Sequence, residues 1–582
     1  MASFTRKVVA AAAGTIMMST ALAACGGASN DKDDDSAASA GGTLFVRMED
    51  PIEKLDPQRV YIGLHINLLQ RTMVRGLLTQ AASSDPADIE KPIPDIATDG
   101  GTMAEGGKEW SFTLREGVKW EDGKPVTCED FRYGYSRNFA TDQITDGPAP
   151  YVLGFTDIPA DADGTPQYKG PYTKKGQELF DKAVTCDGNT ITYRFNKAWP
   201  DFDLAVASLN FAAPYRADKD QGGKGPFMVT SNGPYKIEGK WDQDKGGTLV
   251  RNAEYDKSTD ETDTRKALPD KIVFQPGDEA TTTYKEIIAD SGQAKDTISF
   301  NRLPSTEFTK IDQLTKEGRF IGGEDNRSPF TAYLWFNTET LPLPVRKALA
   351  VSTNREAWIN ASGGSRRFTL ADSIVQKDAP GYAPNSVYKD VPATGDAEAA
   401  AKILKDAGVK TPVAIDFHYP KGDDADNQAA ALQDSWNKTG LFKITLDPEG
   451  DDYYTNIQKR SHKYAMGWAG WGVDWPSPAT VYPPLFDGRI NIQGQTVGSD
   501  YSKYNDPEFN KKLDEAAAAT AEGDLAKRDA LYQEADTMLA EDGVYFPLDN
   551  ELFNFAWGSN VDFHVTLASS AQPDLGLIGL KK

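Results

Sequence analysis

Between Trp110 and Phe139 the chain prescribes a strand, a turn and a helix in immediate succession. Trp110, Phe112 and Leu114 alternate with polar residues, the period of a half-buried strand. Glu116-Gly117 turns the chain into Val118-Lys-Trp120. Glu121-Asp122-Gly123-Lys-Pro125 then places Asp-Gly at the centre of a hairpin-type turn. Thr127 can N-cap a helix, with Asp130 three residues on to complete a capping box. Phe131, Tyr135 and Phe139, spaced by four, give that helix one apolar face.

Similar signals recur along the chain. Leu44-Phe-Val46 is a short strand, and the spacing of Ile66, Leu69, Met73, Val74 and Leu77 predicts a helix over 66–78. Residues 142–180, rich in Pro, Gly and Asp, are expected to be an excursion. Asn189 to Phe195 alternates as a strand, and Tyr235-Lys-Ile237 and Thr248 to Arg251 form a pair around a charged tip. Ile298-Ser-Phe300 is another strand. Helices are expected from Pro342-Leu-Pro344 onward, over 397–407, over 427–438, from Asp506-Pro507 to about Glu522, and after Asp524. The alternation of helix and strand between 390 and 470 has α/β character. Val544 to Leu548 is expected to be an edge strand, where Pro547 is allowed.

The 582 residues, 39% hydrophobic, can bury about three to four domains' worth of core. A net charge of −23 excludes a nucleic-acid partner, which would need a basic face. Arg6 and Lys7 precede a small-residue apolar run ending Leu22-Ala23-Ala24-Cys25. The run is short and rich in Gly, Ser and Thr, which suits a signal peptide over residues 1–24 better than a membrane span. Its end resembles a bacterial lipobox, which implies that Cys25 is lipidated and becomes the first residue of the mature chain. Residues 25–42, rich in Gly, Ser, Ala and Asp, form a tether of roughly 20 Å reach. The expected location is therefore extracytoplasmic, at the outer face of the membrane by a lipid anchor. The remaining pair, Cys128 and Cys186, suggests a disulfide in an exported protein; two buried thiols are the alternative.

The stretch from Trp468 to Pro478 carries Trp468, Trp471 and Trp475 around one carboxylate, Asp474. Gly470, Gly472, Pro476 and Pro478 oppose a helix, so a turned segment is expected, leaving a strand that ends near Met466. Its rings suit either a cleft wall or a core plug. Asp474 has no Lys or Arg within seven residues on either side. It is a candidate to meet a cation from elsewhere, a ligand included, or else to cap a neighbouring turn.

Catalytic signatures are missing from the sequence. His65, His418, His462 and His564 are scattered, and no H-E-x-x-H, G-x-S-x-G or phosphate-cradling glycine loop occurs. No Cys/His set has metal-ligand spacing. The expectation is a binder, not an enzyme, with no cofactor and no metal.

The block from Trp110 to Phe131 resembles the signature of the large solute-binding proteins of oligopeptide and dipeptide ABC importers, solute-binding protein family 5. Ser231-Asn-Gly233-Pro234-Tyr235, Leu334-Trp-Phe336-Asn337, Trp471-Gly-Val-Asp474 and Tyr504-Asn505-Asp-Pro507 are similar to later blocks of that family. The resemblance implies an α/β, two-lobed periplasmic-binding-protein-like fold of type II, with crossing hinge strands and an extra inserted domain. Lobe I is expected at 43–300 plus 546–582, with the insertion at about 85–215, and lobe II at 301–545. It further implies a monomer that captures a peptide ligand and passes it to ABC permease subunits. By position, Asp474 would meet the peptide α-ammonium, with Trp471 and Trp468 as walls. The same scaffold elsewhere takes sugars, nickel chelates or haem, or serves as a peptide-sensing receptor.

Overall fold

The structure is a computed structural model, and it describes residues 40–161 and 164–581. The expected signal segment, the lipidated Cys25 and nearly all of the tether lie outside the described residues. Among the described residues no helix is long and apolar enough to cross a membrane.

A five-stranded sheet forms the first lobe. It runs in the order Thr297–Ser299, Thr43–Met48, Lys271–Pro276, Thr248–Arg251, Tyr235–Ile237. Its first two pairings are parallel and its last two antiparallel, the final one through the expected hairpin around residues 238–247. Leu44, Val46, Ile272, Phe274 and Ile298 bury its core. The helix predicted over 66–78 is Gly63–Thr72, and Leu78–Thr79 is instead a short strand. Val74 and Leu77 are buried without being helical, and between them lies Arg75. That side chain is 0% exposed and ion-paired to Asp95 at 2.8 Å.

Residues 102–194 carry a smaller sheet of four strands, Thr102–Ala104, Glu109–Thr113, Thr190–Arg194 and Val184–Asp187. The Asp-Gly turn closes with the Gly123 amide donating to the Trp120 carbonyl at 2.9 Å. The helix Cys128–Arg137 begins in a complete capping box, with the Thr127 amide donating to Asp130 Oδ2 at 2.8 Å. Cys128 and Cys186 are joined by a disulfide that ties this helix to the sheet, with Cα atoms 6.0 Å apart. The 142–180 excursion is not all loop. It contains the helices Ala149–Phe155 and Gln177–Ala183.

The second lobe is built on a six-stranded sheet in the order Phe368–Leu370, Tyr545–Leu552, Arg327–Phe336, Met466–Gly472, Val413–Pro420, Phe442–Glu449. Helices Leu343–Ser352, Ala397–Asp406, Asp423–Lys438, Pro507–Ala521 and Leu525–Glu541 accompany it. Asp506 and Asp524 cap the last two through backbone amides at 2.9–3.0 Å.

Two expectations need correction. Tyr545–Leu552 is not an edge strand of the first lobe. It lies inside the second sheet, between Phe368–Leu370 and Arg327–Phe336. Pro547 is tolerated because pairing to Phe368–Leu370 begins only at Asp549, and a register shift falls beside it. Nor does a strand end at Met466: it begins there and runs to Gly472. Gly470 and Gly472, which argued for a turn, lie within this strand, and it is Gly467 that close packing keeps bare. A Cβ at Gly467 would stand 2.5 Å from the Trp335 ring and 2.7 Å from the His418 carbonyl oxygen.

Two segments pass between the lobes. One leads from Ser299 to Arg327, the other from Leu552 onward. They touch where Phe320–Ile321 pairs antiparallel with Phe555–Ala556. After this crossing, Trp557, Val561, Phe563 and Ile578 pack into the first lobe's core.

Candidate functional site

A cavity of about 760 Å³ is lined by both lobes. The strand Met466–Gly472 supplies much of one wall, pairing residue for residue with Phe330–Phe336. Trp468, Gly470 and Gly472 share a face with Leu334, Ala332 and Phe330, since residues in antiparallel register point the same way. Past Gly472 the chain leaves the sheet, and the Trp471 indole fixes this exit by donating to the Thr480 carbonyl at 2.8 Å. Trp468 and Trp471 both line the cavity and are half-buried.

Trp475 does something the sequence left open. It is 4% exposed and belongs to the first lobe's core, although it sits on a loop of the second. Its ring packs edge-on to Tyr151 at 4.8 Å and lies 6.0 Å from Trp199. Its N–H donates to Asp201 Oδ2 at 3.4 Å. Trp475 is therefore the plug, while Trp468 and Trp471 are wall. Arg528 of the second lobe adds a longer ion pair to Glu90 of the first, at 3.7 Å.

Asp474 also lines the cavity, beside this plug. The Tyr151 hydroxyl donates to its Oδ2, and the Tyr61 hydroxyl is a second donor. No Lys, Arg or His forms an ion pair with it among the described residues. Among the described residues no backbone amide donates to it either, so the turn-capping alternative has no hydrogen bond behind it there. Burial pushes its carboxyl up to about 6, opposed by the two tyrosine hydroxyls, which favour the anion. The same contact pushes the Tyr151 hydroxyl above its ordinary value, through burial first and the Asp474 charge second. A carboxylate offers about four lone-pair sites, so two hydroxyl donors leave room for an incoming cation.

The cavity is also lined by Asp549, Glu551, Arg302 and Phe553. The Trp358 indole donates to Asp549 Oδ2 at 2.6 Å, and burial pushes that carboxyl up to about 7. Glu551 is paired to Arg302 and, at 3.0 Å, to Arg367.

Sequence reasoning singled out Trp468, Trp471 and Asp474, and the fold brings all three to one cavity. It missed Tyr61, Tyr151 and Asp549. Tyr151 lay in a stretch read as an excursion, and Asp549 one residue past the strand Val544 to Leu548, which was expected in the other lobe. Alternation around Pro547 was the available signal, but alternation does not say which sheet a strand joins. Burial lowers the imidazoles of His65 and His462 to about 4 and about 3, which keeps both neutral. Among the described residues no group of three or more His, Cys, Asp or Glu is placed to hold a metal ion.

The chain has relatives among known proteins. A family model described as bacterial extracellular solute-binding proteins, family 5 Middle, matches residues 91–493. The chain is 24% identical over 518 residues to the periplasmic oligopeptide-binding protein of Salmonella typhimurium, covering 85% of each. It is 24% identical over 515 residues to the periplasmic murein peptide-binding protein of Escherichia coli, covering 86% of each. Among solved structures it is similar to clavulanic acid biosynthesis oligopeptide binding protein 2, with a TM-score of 0.82 and 26% identity. That match covers 94% of this chain and 97% of the other. The unliganded open form of the murein tripeptide-binding protein matches with a TM-score of 0.70 and 19% identity, over 94% and 99%. The architecture these structures share with the chain is the mixed α/β, two-lobed one.

Proposed function

The chain belongs to the bacterial extracellular solute-binding proteins of family 5, and from that premise we propose that it captures oligopeptides or dipeptides outside the cell and hands them to an ABC importer. The observation that carries this reading is Asp474, a carboxylate set deep in an aromatic-walled cleft with no ion pair from its own chain among the described residues. Its partner is the peptide α-ammonium, with Trp471 and Trp468 as walls. A charge pair at about 4 Å gains roughly 4 kcal/mol at an effective dielectric near 20, less the cost of desolvation. Backbone hydrogen bonds to the rest of the peptide make the site tolerant of sequence. Closure of the two lobes excludes water, so a few fixed charges suffice to orient the ligand.

In this reading the protein works as a monomer, without cofactor, and leaves its peptide unaltered. Cys25 carries the lipid that holds it at the outer face of the cytoplasmic membrane, within reach of the permease. Relatives are named for the peptides they bind, among them a Haemophilus influenzae protein solved with RPPGFSPFR.

Calorimetry with free and N-acetylated peptides tests the role of Asp474. Acetylated peptides are expected to bind poorly, and Asp474→Ala to cost about 2–5 kcal/mol of affinity. Equal affinity for the two peptide forms removes Asp474 from this role. Mass spectrometry of a co-purified ligand separates a peptide from a sugar, haem or nickel chelate. Chromatography of an incubated peptide mixture exposes any cleavage. Metabolic lipid labelling is expected in the native chain and lost in Cys25→Ala; labelling that persists ends the anchor proposal.

A further inference from the structure

The floor of the cavity has a second acidic position that the proposed capture of the peptide amino end does not use. Ala332 is in register with Asp549 on one side and with Gly470 on the other, so these residues form one row across three strands, on one face. All three line the cavity. Ala332 and Gly470 project almost nothing from the sheet, and a Cβ at Gly470 would meet only the Thr331 carbonyl oxygen, at 3.9 Å. The row is therefore an open trough with a carboxylate at one end. Trp468, two residues along from Gly470, stands beside it, with its ring 5.9 Å from that of Trp358.

Asp549 is 3% exposed. Trp358 holds its Oδ2, and Oδ1 has no hydrogen-bond partner among the described residues. The nearby cations are committed elsewhere. Arg302 and Arg367 both pair with Glu551, and Arg367 also pairs with Asp424 at 2.6 Å. Burial holds the Asp549 carboxyl up to about 7, against the Trp358 hydrogen bond and the Arg367 charge, so its anion is only partly compensated. A buried carboxylate of this kind is satisfied by a cation brought in from outside. The flat floor and the indole face beside it favour a planar, weakly hydrated cation over a compact ammonium.

We propose that this trough is a subsite for a cationic side chain of the bound peptide, a guanidinium by preference, lying beyond the residue whose amino group meets Asp474. The proposal rests on the peptide-binding reading and adds a selectivity to it. Asp549 accepts the guanidinium through Oδ1, Trp468 offers its face, and Trp358 keeps the carboxylate oriented.

The test uses alanine pentapeptides with a free amino end and one arginine placed in turn at each position after the first. Each is compared with the same peptide carrying citrulline, which keeps the shape and loses the charge. At one position arginine is expected to bind about tenfold tighter than citrulline, with lysine between them. Asp549→Asn, which keeps an acceptor for Trp358, is expected to bring that ratio to within about twofold. Should that variant fail to fold, Gly470→Leu fills the trough from a position with open space and is expected to collapse the same ratio. Arginine and citrulline binding alike at every position, while the pentapeptides still bind, overturns the subsite and leaves peptide capture standing. A preference that survives both substitutions overturns its placement in this trough. Binding of no pentapeptide at all overturns the peptide-binding reading beneath it.

Discussion

At the scale of single residues, the behaviour of Asp474 is set by its surroundings. Its carboxyl is held up at about 6 by burial, with Tyr151 and Tyr61 pulling the other way. An ammonium ligand binds the anion, so affinity is expected to be flat above that value and to weaken as pH falls through it. The weakening approaches about tenfold per pH unit, since one pKa unit corresponds to 1.36 kcal/mol. Titrating dissociation constants between acid and neutral pH checks this. Tyr151→Phe removes a hydroxyl that stabilises the anion, so it is expected to move the midpoint of that titration upward. A midpoint that stays put separates Tyr151 from the titration. Asp474 itself was legible in the sequence because a lone carboxylate among rings is unusual chemistry. Tyr151 was not, because it lies more than three hundred residues away in the chain and no local pattern announces such a meeting.

At the scale of elements, the strand Met466–Gly472 packs within its own lobe, while the loop after it reaches into the other. Gly467 is flanked tightly by Trp335 and His418, with less than 3 Å available to a Cβ on either side. Gly467→Ala is expected to force the sheet apart locally and to destabilise the second lobe by about 1–3 kcal/mol, read by denaturant unfolding. An unchanged midpoint would mean that the sheet yields freely there. In the loop, Trp475 buries its ring in the opposite lobe, so the roughly 3–5 kcal/mol that Trp→Ala costs in a core falls on closure of the cleft. Trp475→Ala is expected to enlarge the radius of gyration of the peptide-free protein in solution scattering. Identical scattering profiles would assign Trp475 no part in closure. Composition alone predicted a turned aromatic segment. The three tryptophans proved to have different fates, because one belongs to another body of the molecule.

At the scale of the whole molecule, the buried acids set the direction of pH dependence. Burial raises Asp203, Asp474 and Asp536 to about 6 and Asp549 to about 7. Each lies above its value in an unfolded chain, near 4. Between pH 4 and 7 these four acids hold more protons in the folded state than in the unfolded one; the buried neutral imidazoles of His65 and His462 act in the opposite sense but are outweighed, and stability falls as pH rises through that window. Asp260, held low by Arg265 and Arg75 despite its burial, acts in the opposite sense, but its window lies below pH 4. The net charge of −23 adds self-repulsion as the acids ionise. The peptide-free protein is expected to melt several degrees higher at pH 5.5 than at pH 7.5, by calorimetry. A flat profile across that window would mean that these carboxyls are better hydrated than their burial implies.

The sequence by itself determined the local alphabet of the fold. Alternation gave the strands, Asp-Gly gave the hairpin turn, and Thr127, Asp506 and Asp524 gave the helix starts, because each is decided within a few residues by hydrogen bonds and sterics. It also marked Trp468, Trp471 and Asp474 as unusual. The tertiary structure alone decided which sheet Tyr545–Leu552 joins, that Trp475 crosses to the other lobe, and that Tyr151 and Tyr61 meet Asp474. Those outcomes depend on burying surface between segments hundreds of residues apart. Period and propensity report which side of an element is apolar, and not what comes to cover it.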